Sequence, residues 1–454
     1  MTDIPANRDS FGSRFGVIAA TAGSAIGLGN IWRFPYVAGE NGGGAFLIIY
    51  LGFILLIGIP VMLSEFTIGR GAQRNVFGSF RKLAPGKPWY LIGLMGVAAA
   101  FMILAFYTAV AGWTLEYIYQ SVINGYKGMN SVQLSGMYYS FIEGSWRPLM
   151  WFFVFMAFTA AIIMAGVQKG IEKYTKVLMP LLLVLLLALV IRSVTLPGAG
   201  SGISFLFKPD FSKITTSTIL EALGQAFFSL SIGMGTLITY GSYIQKKDNL
   251  GSTAFTVAFA DTFIAILAGL AIFPAVFAFN IEPGSGEGLV YITLPNIFQQ
   301  MPGGYFFSLM FFILLGVAAL TSTISVLEVI VAFFVEELKL KRKAATLLAI
   351  FSVSVLGIMS VLSFSSMSEF RVFGFTVFQL LDFTSANILL PLGGLFIVIF
   401  VAWFLGREKA EKELSNEGKL KTRYIPVYMF IIKYLAPLAI AFIFLQGVGL
   451  IKIS

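Results

Sequence analysis

The chain has 454 residues, 57% of them hydrophobic and 12% charged, with a net charge of +9. Soluble domains carry about a quarter charged residues, so this composition excludes a soluble globular protein and points to a chain that crosses the bilayer many times. Cysteine and histidine are both absent, which excludes disulfides and thiolate sites and removes the commonest metal ligand and the easiest proton relay.

Hydropathy, taken in chain order, predicts eleven spans at 13–38, 43–70, 89–124, 148–166, 174–192, 216–243, 252–279, 305–337, 344–363, 372–405 and 426–447. A helix needs roughly 20 apolar residues to cross about 30 Å of hydrocarbon, and these runs supply them. The first span is irregular. It is interrupted by Ala25-Ile26-Gly27-Leu28-Gly29-Asn30 and closed by Arg33-Phe34-Pro35. Hydrocarbon offers no partner to a freed N–H or C=O, so broken backbone survives there only around a protein-lined cavity.

The sixth span repeats the break with Phe228-Ser229-Leu230-Ser231-Ile232-Gly233-Met234-Gly235-Thr236. Small residues also let membrane helices pack closely. Two breaks five spans apart nevertheless predict inverted repeats, spans 1–5 and 6–10, with a binding site at their interface. The expected organisation is an all-α membrane protein with a cytoplasmic segment at 1–12 and a first repeat over 13–192. An extracellular loop at 193–215, a second repeat over 216–405 and a cytoplasmic loop at 406–425 follow, and 426–454 holds the last span and an extracellular tail.

Charge supports that order. Arg14, Arg70, Arg74, Arg81, Lys82, Lys246, Lys247, Lys339 and Arg342 fall on one side, with few Lys or Arg on the other. The ratio is roughly three to one, which the positive-inside rule converts into a cytoplasmic N-terminus at the cell membrane and, with an odd span count, an extracellular C-terminus. The basic balance therefore reads as topology and not as nucleic-acid binding. The Arg407–Arg423 loop reads as a solvated connector. No Walker-type phosphate loop or other catalytic constellation occurs in the loops, which argues against an enzyme.

Broken helices also dictate chemistry. A half-helix N-terminus presents unpaired N–H groups and positive potential, suited to a carboxylate. Unwound carbonyls present oxygens, suited to Na⁺. An anionic or zwitterionic substrate beside one or more cations is the expectation. Tyr107, in the apolar third span, needs a partner for its hydroxyl.

Several runs go further. Gly23-Ser24-Ala25-Ile26-Gly27-Leu28-Gly29-Asn30-Ile31-Trp32-Arg33-Phe34-Pro35, Glu40 through Phe46, Gly170-Ile171-Glu172-Lys173, Gln225 through Ser231, Ile238 through Tyr243 and Leu320-Thr321-Ser322 resemble the neurotransmitter:sodium symporter family, in its bacterial amino-acid branch. The resemblance covers essentially the whole chain. It implies a LeuT-type fold, with unwound helices 1 and 6, that imports hydrophobic L-amino acids together with Na⁺. One sodium site would use Ala25, Asn30, Ser229 and Asp261; a second would use Gly23, Ile26, Ala318, Thr321 and Ser322. The substrate carboxylate would meet the amides around Leu28 and Gly29 and the Tyr107 hydroxyl, and the amino group carbonyls of Ala25, Phe228 and Ser231. Gly27, Ile103, Phe228, Met234, Ser322 and Val326 would complete the pocket.

That pocket has no charged side chain, and a charged substrate side chain would be desolvated without a partner. Met234 is adaptable, so aliphatic and aromatic substrates, tryptophan and phenylalanine included, are expected. Asp261 stands where many relatives carry asparagine and bind chloride nearby, which implies no chloride requirement. A proton-coupled carrier using Asp261 and Glu65 is the alternative. The implied gates are Arg8 with Glu336 and Tyr243 inside, and Arg33 with Phe228 outside, where Asp382 and Asn387 are candidate partners for the arginine. Glu328 receives no role. In the fifth span Gly170 and Pro180 mark an end that could unwind, since glycine weakens a helix and proline lacks the N–H that bonds back.

Overall fold

The computed structural model describes residues 9–280 and 288–451. It is all helical in its regular elements. Span 1 is a bent pair, Arg14–Ala25 and Gly29–Glu40, meeting at 53°. Continuous spans follow at Gly44–Ala72 (span 2), Tyr90–Val122 (span 3), Trp146–Met164 (span 4) and Val167–Val194 (span 5). Span 6 is again broken, into Thr216–Ser229 and Thr236–Gly241. Spans 7 to 11 are Leu250–Ala278, Gly304–Glu337, Arg342–Leu362, Val377–Leu414 with its polar extension, and Ile425–Gly447. This is the multi-pass, LeuT-type architecture with its two unwound helices.

Local chemistry explains the breaks. Ile26 leaves helical geometry at φ −74°, ψ 105°. In span 6, Ser231 at φ 55°, Gly233 at 86° and Gly235 at 79° turn the chain through left-handed backbone that only glycine adopts freely. Gly233 has a second reason to be glycine. A Cβ there would stand 2.3 Å from the Leu390 carbonyl oxygen of span 10.

Two boundaries differ from the hydropathy reading. Span 10 starts at Val377 and not near 372, because Thr376 and Gln379 form a capping box. The residues before it close a tight turn in which Val372 and Phe375 pair. Span 5 starts earlier than 174, with a π-helical turn at Val167–Glu172. Gly170 sits against span 4 there, with no room for a Cβ, which would lie 2.0 Å from the Ile162 carbonyl oxygen. Pro180 lies inside the α-helical part.

Span 3 packs along span 8, and spans 5 and 7 along each other. Leu55, Phe153, Phe259, Phe351 and Leu438 face outward, as lipid-facing side chains should.

The charged connector after span 10 is not simply solvated. Its helix Gly406–Leu414 buries Ala410 and Leu414. Glu413 reaches the fully buried Arg70 of span 2 at 2.5 Å. Arg70 also donates to the carbonyl oxygens of Asp248, at 2.6 Å, and Glu413, and to Asn416 Oδ1 at 2.8 Å. The half-exposed Lys246 pairs with the other Glu413 oxygen at 2.6 Å.

Glu413→Gln leaves the Arg70 guanidinium buried without its counter-charge, which is expected to cost about 3–5 kcal/mol. Lys246→Gln, at the exposed end of the same cluster, should cost less than about 1 kcal/mol. Melting curves of the purified protein check this; equal losses would mean that burial of Arg70 does not set the cost.

Candidate functional site

The two breaks face each other in the middle of the helical bundle, and side chains satisfy the main-chain groups they free. Asn30 Oδ1 accepts from the Gly27 N–H at 3.0 Å, and the Tyr107 hydroxyl accepts from the Leu28 N–H at 3.0 Å. Gln225 Nε2 donates to the Gly29 carbonyl at 2.9 Å and Ser231 Oγ to the Ser24 carbonyl at 2.9 Å. Glu65, fully buried in span 2, accepts from the Gly233 N–H at 2.7 Å.

Between the breaks lies a compact chamber of about 30 Å³. Ala25, Gly27, Gly29, Ile103, Tyr107, Phe228, Ser231, Met234, Ser322 and Val326 line it, joined by Ser24, Leu104 and Thr323. Of the pocket residues expected from sequence, only Leu28 is not on this wall. It lines the next cavity out and engages Tyr107 through its amide. A side chain on Gly27 would push its neighbours aside, since a Cβ would stand 2.3 Å from Ser322 Oγ and 2.9 Å from the Tyr107 hydroxyl.

Four polar side chains from four spans meet at one flank of the chamber. Asp261, fully buried on span 7, accepts from Ser229 Oγ at 2.6 Å and from Asn30 Nδ2 at 2.8 Å. Asn30 Nδ2 also lies 3.0 Å from Ser229 Oγ. The Tyr50 hydroxyl donates to Ser229 Oγ at 3.2 Å. Nearby, Gln225 Oε1 and Thr262 Oγ1 are buried and have no hydrogen-bond partner among the described residues. Asn30, Ser229 and Asp261 are therefore joined directly, and Ala25 lines the chamber beside them.

On the opposite flank Thr321 Oγ1 bonds the Ala318 carbonyl at 3.0 Å and lies 3.4 Å from that of Ile26. A Cβ on Gly23 would touch Thr321 at 3.4 Å, and Ser322 faces Gly27. Hydroxyls and carbonyls with no carboxylate are a donor set that suits a monovalent hard cation without adding net charge. The Asp261 flank, with its carboxylate, hydroxyl and amide oxygens, can offer the same ion a counter-charge.

Outside the chamber is a vestibule of about 370 Å³, lined by Trp32, Arg33, Tyr36, Phe106, Phe378, Asp382 and Asn387 among others. Phe228, Tyr107 and Gly29 line both cavities, and the Arg33 guanidinium sits 4.5 Å above the Phe228 ring. Asp382 and Asn387 share the vestibule with Arg33, but no Arg33–Asp382 ion pair within 4.0 Å occurs among the described residues.

The opposite end is sealed. Phe11 is buried against Tyr240 and Tyr243, with ring centroids at 5.7 and 5.9 Å. The Tyr243 hydroxyl donates to Glu328 at 2.7 Å, and Glu328 pairs with Arg342 at 2.5 Å. Glu328 thus has the partners that sequence reading missed; a basic residue at the start of the following span was the available signal, because a carboxylate buried in a span requires one. Glu336 accepts from the Asn75 amide at 2.9 Å, and Arg8 lies outside the described residues. Glu172 at the start of span 5 accepts from the Gly12 N–H at 2.7 Å and Ser13 Oγ at 2.9 Å, and pairs with Lys176 at 2.5 Å.

Two discontinuous spans meeting at an enclosed chamber, with a vestibule on one side and a seal on the other, define a multi-pass helical carrier. The model of the sodium:neurotransmitter symporter family matches residues 8–128 and 142–453, and the chain belongs to that family. It is 39% identical over 440 residues to the uncharacterized sodium-dependent transporter YhdH of Bacillus subtilis, covering 97% of this chain and 98% of that one. An uncharacterized sodium-dependent transporter of Haemophilus influenzae is 39% identical over 459 residues, covering 98% and 100%. The crystal structure of MhsT in complex with L-phenylalanine superposes with a TM-score of 0.89 at 47% identity, over 97% of this chain and 100% of that one. The protein is a sodium-dependent transporter of a family that contains carriers and not enzymes.

Gly27→Ala overfills the wall between span 1 and Ser322, at an expected cost of about 1–3 kcal/mol. Adding Ser322→Ala removes the nearest atom and should recover part of that loss in melting temperature. Equal melting of the single and double variants would mean that Gly27 is needed for its backbone and not for space.

Proposed function

We propose that this transporter imports hydrophobic L-amino acids, aliphatic and aromatic, by sodium symport with alternating access. The observation that carries the reading is the chamber itself: main-chain groups and hydroxyls at one end, and Ile103, Phe228, Met234 and Val326 at the other, with no charged side chain on its wall. The zwitterionic head of an amino acid suits the first part. An uncharged side chain suits the second. The phenylalanine bound to the similar MhsT supports the same class of substrate.

In this reading the substrate carboxylate lies at Leu28, Gly29 and Tyr107. The Leu28 N–H already occupies an acceptor position of the Tyr107 hydroxyl, which leaves the phenolic proton available for a carboxylate. The amino group faces Ala25, Phe228 and Ser231. One Na⁺ takes the flank of Ala25, Asn30, Ser229 and Asp261, and contact with the substrate carboxylate makes each raise the affinity of the other. A second takes Gly23, Ile26, Ala318, Thr321 and Ser322. Asp261 supplies the negative charge that chloride provides elsewhere, so transport needs no chloride. Phe228 under Arg33 closes the outer side. Tyr243 and Glu336 belong to the inner gate, for which Arg8, outside the described residues, is the expected partner, with the N-terminus cytoplasmic and the C-terminus extracellular at the cell membrane. Span 5 unwinds between Gly170 and Pro180 to release sodium inward.

Uptake of radiolabelled phenylalanine and leucine into proteoliposomes should require an inward Na⁺ gradient at constant chloride and show mutual competition. Uptake that instead follows a proton gradient at fixed Na⁺ would overturn the coupling. Removing chloride should leave the wild-type rate unchanged, whereas Asp261→Asn should lower uptake and make what remains rise with chloride. A severalfold chloride stimulation of the wild type would count against Asp261 as the counter-charge.

Replacing Gly170 and Pro180 together by alanine should slow turnover while leaving equilibrium substrate binding in place. An unchanged rate, measured alongside an unchanged binding curve, would remove span 5 from the release step.

A further inference from the structure

A cluster on the lipid-facing surface, far from the chamber, offers three donor groups and no acid. Lys433 of span 11 is partly buried, and its ammonium sits 4.5 Å from the Trp403 ring centroid of span 10 and 5.5 Å from that of Tyr434. Trp403 and Tyr434 are themselves 59% and 48% exposed, meeting edge to face at 6.3 Å. Among the described residues Lys433 has no ion pair and no hydrogen bond, and neither the Trp403 indole N–H nor the Tyr434 hydroxyl has a hydrogen-bond partner. The aromatic faces offset part of the ammonium's charge. They leave three N–H groups, one indole N–H and one phenolic O–H without an acceptor.

The backbone is irregular at this place in both spans. Span 10 carries a π-helical turn at Phe400–Leu405 and span 11 one at Ile431–Leu435. These turns pack against each other and hold Trp403 and Lys433 side by side. Three residues beyond Trp403, Gly406 at φ 81° ends the apolar run and the charged connector begins. Three residues of helix rise about 4.5 Å, so the cluster lies at the depth where headgroups meet hydrocarbon. Aromatic rings are common at that level, but a lysine with no acid beside it adds a charge that the protein leaves unpaired.

We propose that Lys433, Trp403 and Tyr434 form a binding site for the phosphate headgroup of an anionic phospholipid, in the leaflet on the side of the charged connector. A phosphate diester supplies acceptors to the ammonium, the indole and the phenol at once, and its charge complements the lysine. Its acyl chains continue along the exposed apolar faces of Leu438 and Phe442. A neutral zwitterionic lipid brings its own cation to the site and is disfavoured.

The test is native mass spectrometry of the full-length protein in detergent, titrated with phosphatidylglycerol or phosphatidylcholine of matched chains. The wild type should retain one phosphatidylglycerol in preference to phosphatidylcholine. Lys433→Gln should weaken that retention about fivefold, as expected for one interfacial basic charge, and Lys433→Arg should preserve it. Sodium-dependent substrate binding by each variant reports a folded protein independently. Equal retention of phosphatidylglycerol by the wild type and Lys433→Gln would overturn the site, and so would equal retention of the two lipids by the wild type. Displacement of phosphatidylglycerol by excess inorganic phosphate would overturn the lipid as the occupant.

Discussion

A main-chain N–H or C=O freed inside a membrane must find a partner within the protein, and the rest of this structure follows from that constraint. Two helices are broken at mid-depth, and the freed groups are met by side chains from elsewhere. Tyr107 comes from span 3 to the Leu28 amide and Gln225 from span 6 to the Gly29 carbonyl. Ser231 reaches across to Ser24, and Glu65 comes from span 2 to Gly233. Each of these bonds pins one span to another. The chamber is what remains between them, so binding site and fold are held together by the same contacts.

Charge is distributed to suit this arrangement. The chamber wall carries none, while ion pairs gather toward the sealed end and around the connector. Glu328 with Arg342, Glu172 with Lys176 and Glu413 with Arg70 and Lys246 all lie on that side of the bundle. Elsewhere Glu116 pairs with Arg147, Glu65 meets the span 6 break, and Asp261 lies beside the chamber. Its two oxygens are occupied by Ser229 and Asn30, which spread its charge over a hydroxyl and an amide. That is a small, polar, cation-ready enclosure inside an otherwise apolar core.

Much of this was legible in the sequence. Unbroken apolar runs mark spans directly, and glycine, serine and asparagine inside such runs mark the breaks, because bilayer physics leaves those residues few other uses. Boundaries set by local chemistry were less visible. The Thr376 cap delayed span 10, and the π-helical turn at Val167–Glu172 advanced span 5. The chamber wall could be named only through resemblance, since Ile103, Met234 and Val326 look like any apolar span residue. Partnerships across the fold were hardest to see. Arg70 and Glu413 are 343 positions apart, and nothing local in the connector says that one of its glutamates leaves solvent for a buried arginine. Glu328 went without a role for a related reason, because its partners, Tyr243 and Arg342, sit on two different spans.

The contact between span 2 and the second half of span 6 carries a mechanical consequence. A Cβ on Gly69 would lie 2.1 Å from the Ile238 carbonyl oxygen, and one on Gly241 would lie 3.1 Å from Cα of Phe66. The two helices therefore touch backbone to backbone, with no layer of side chains between them to act as a bearing. Side chains that interdigitate can change rotamers and let one helix creep past another, but bare main chain cannot. The short segment Thr236–Gly241 is geared to a helix more than four times its length. Tilting of that segment is transmitted to span 2 without slack, and with it to Glu65 and Arg70 at two different depths of the membrane.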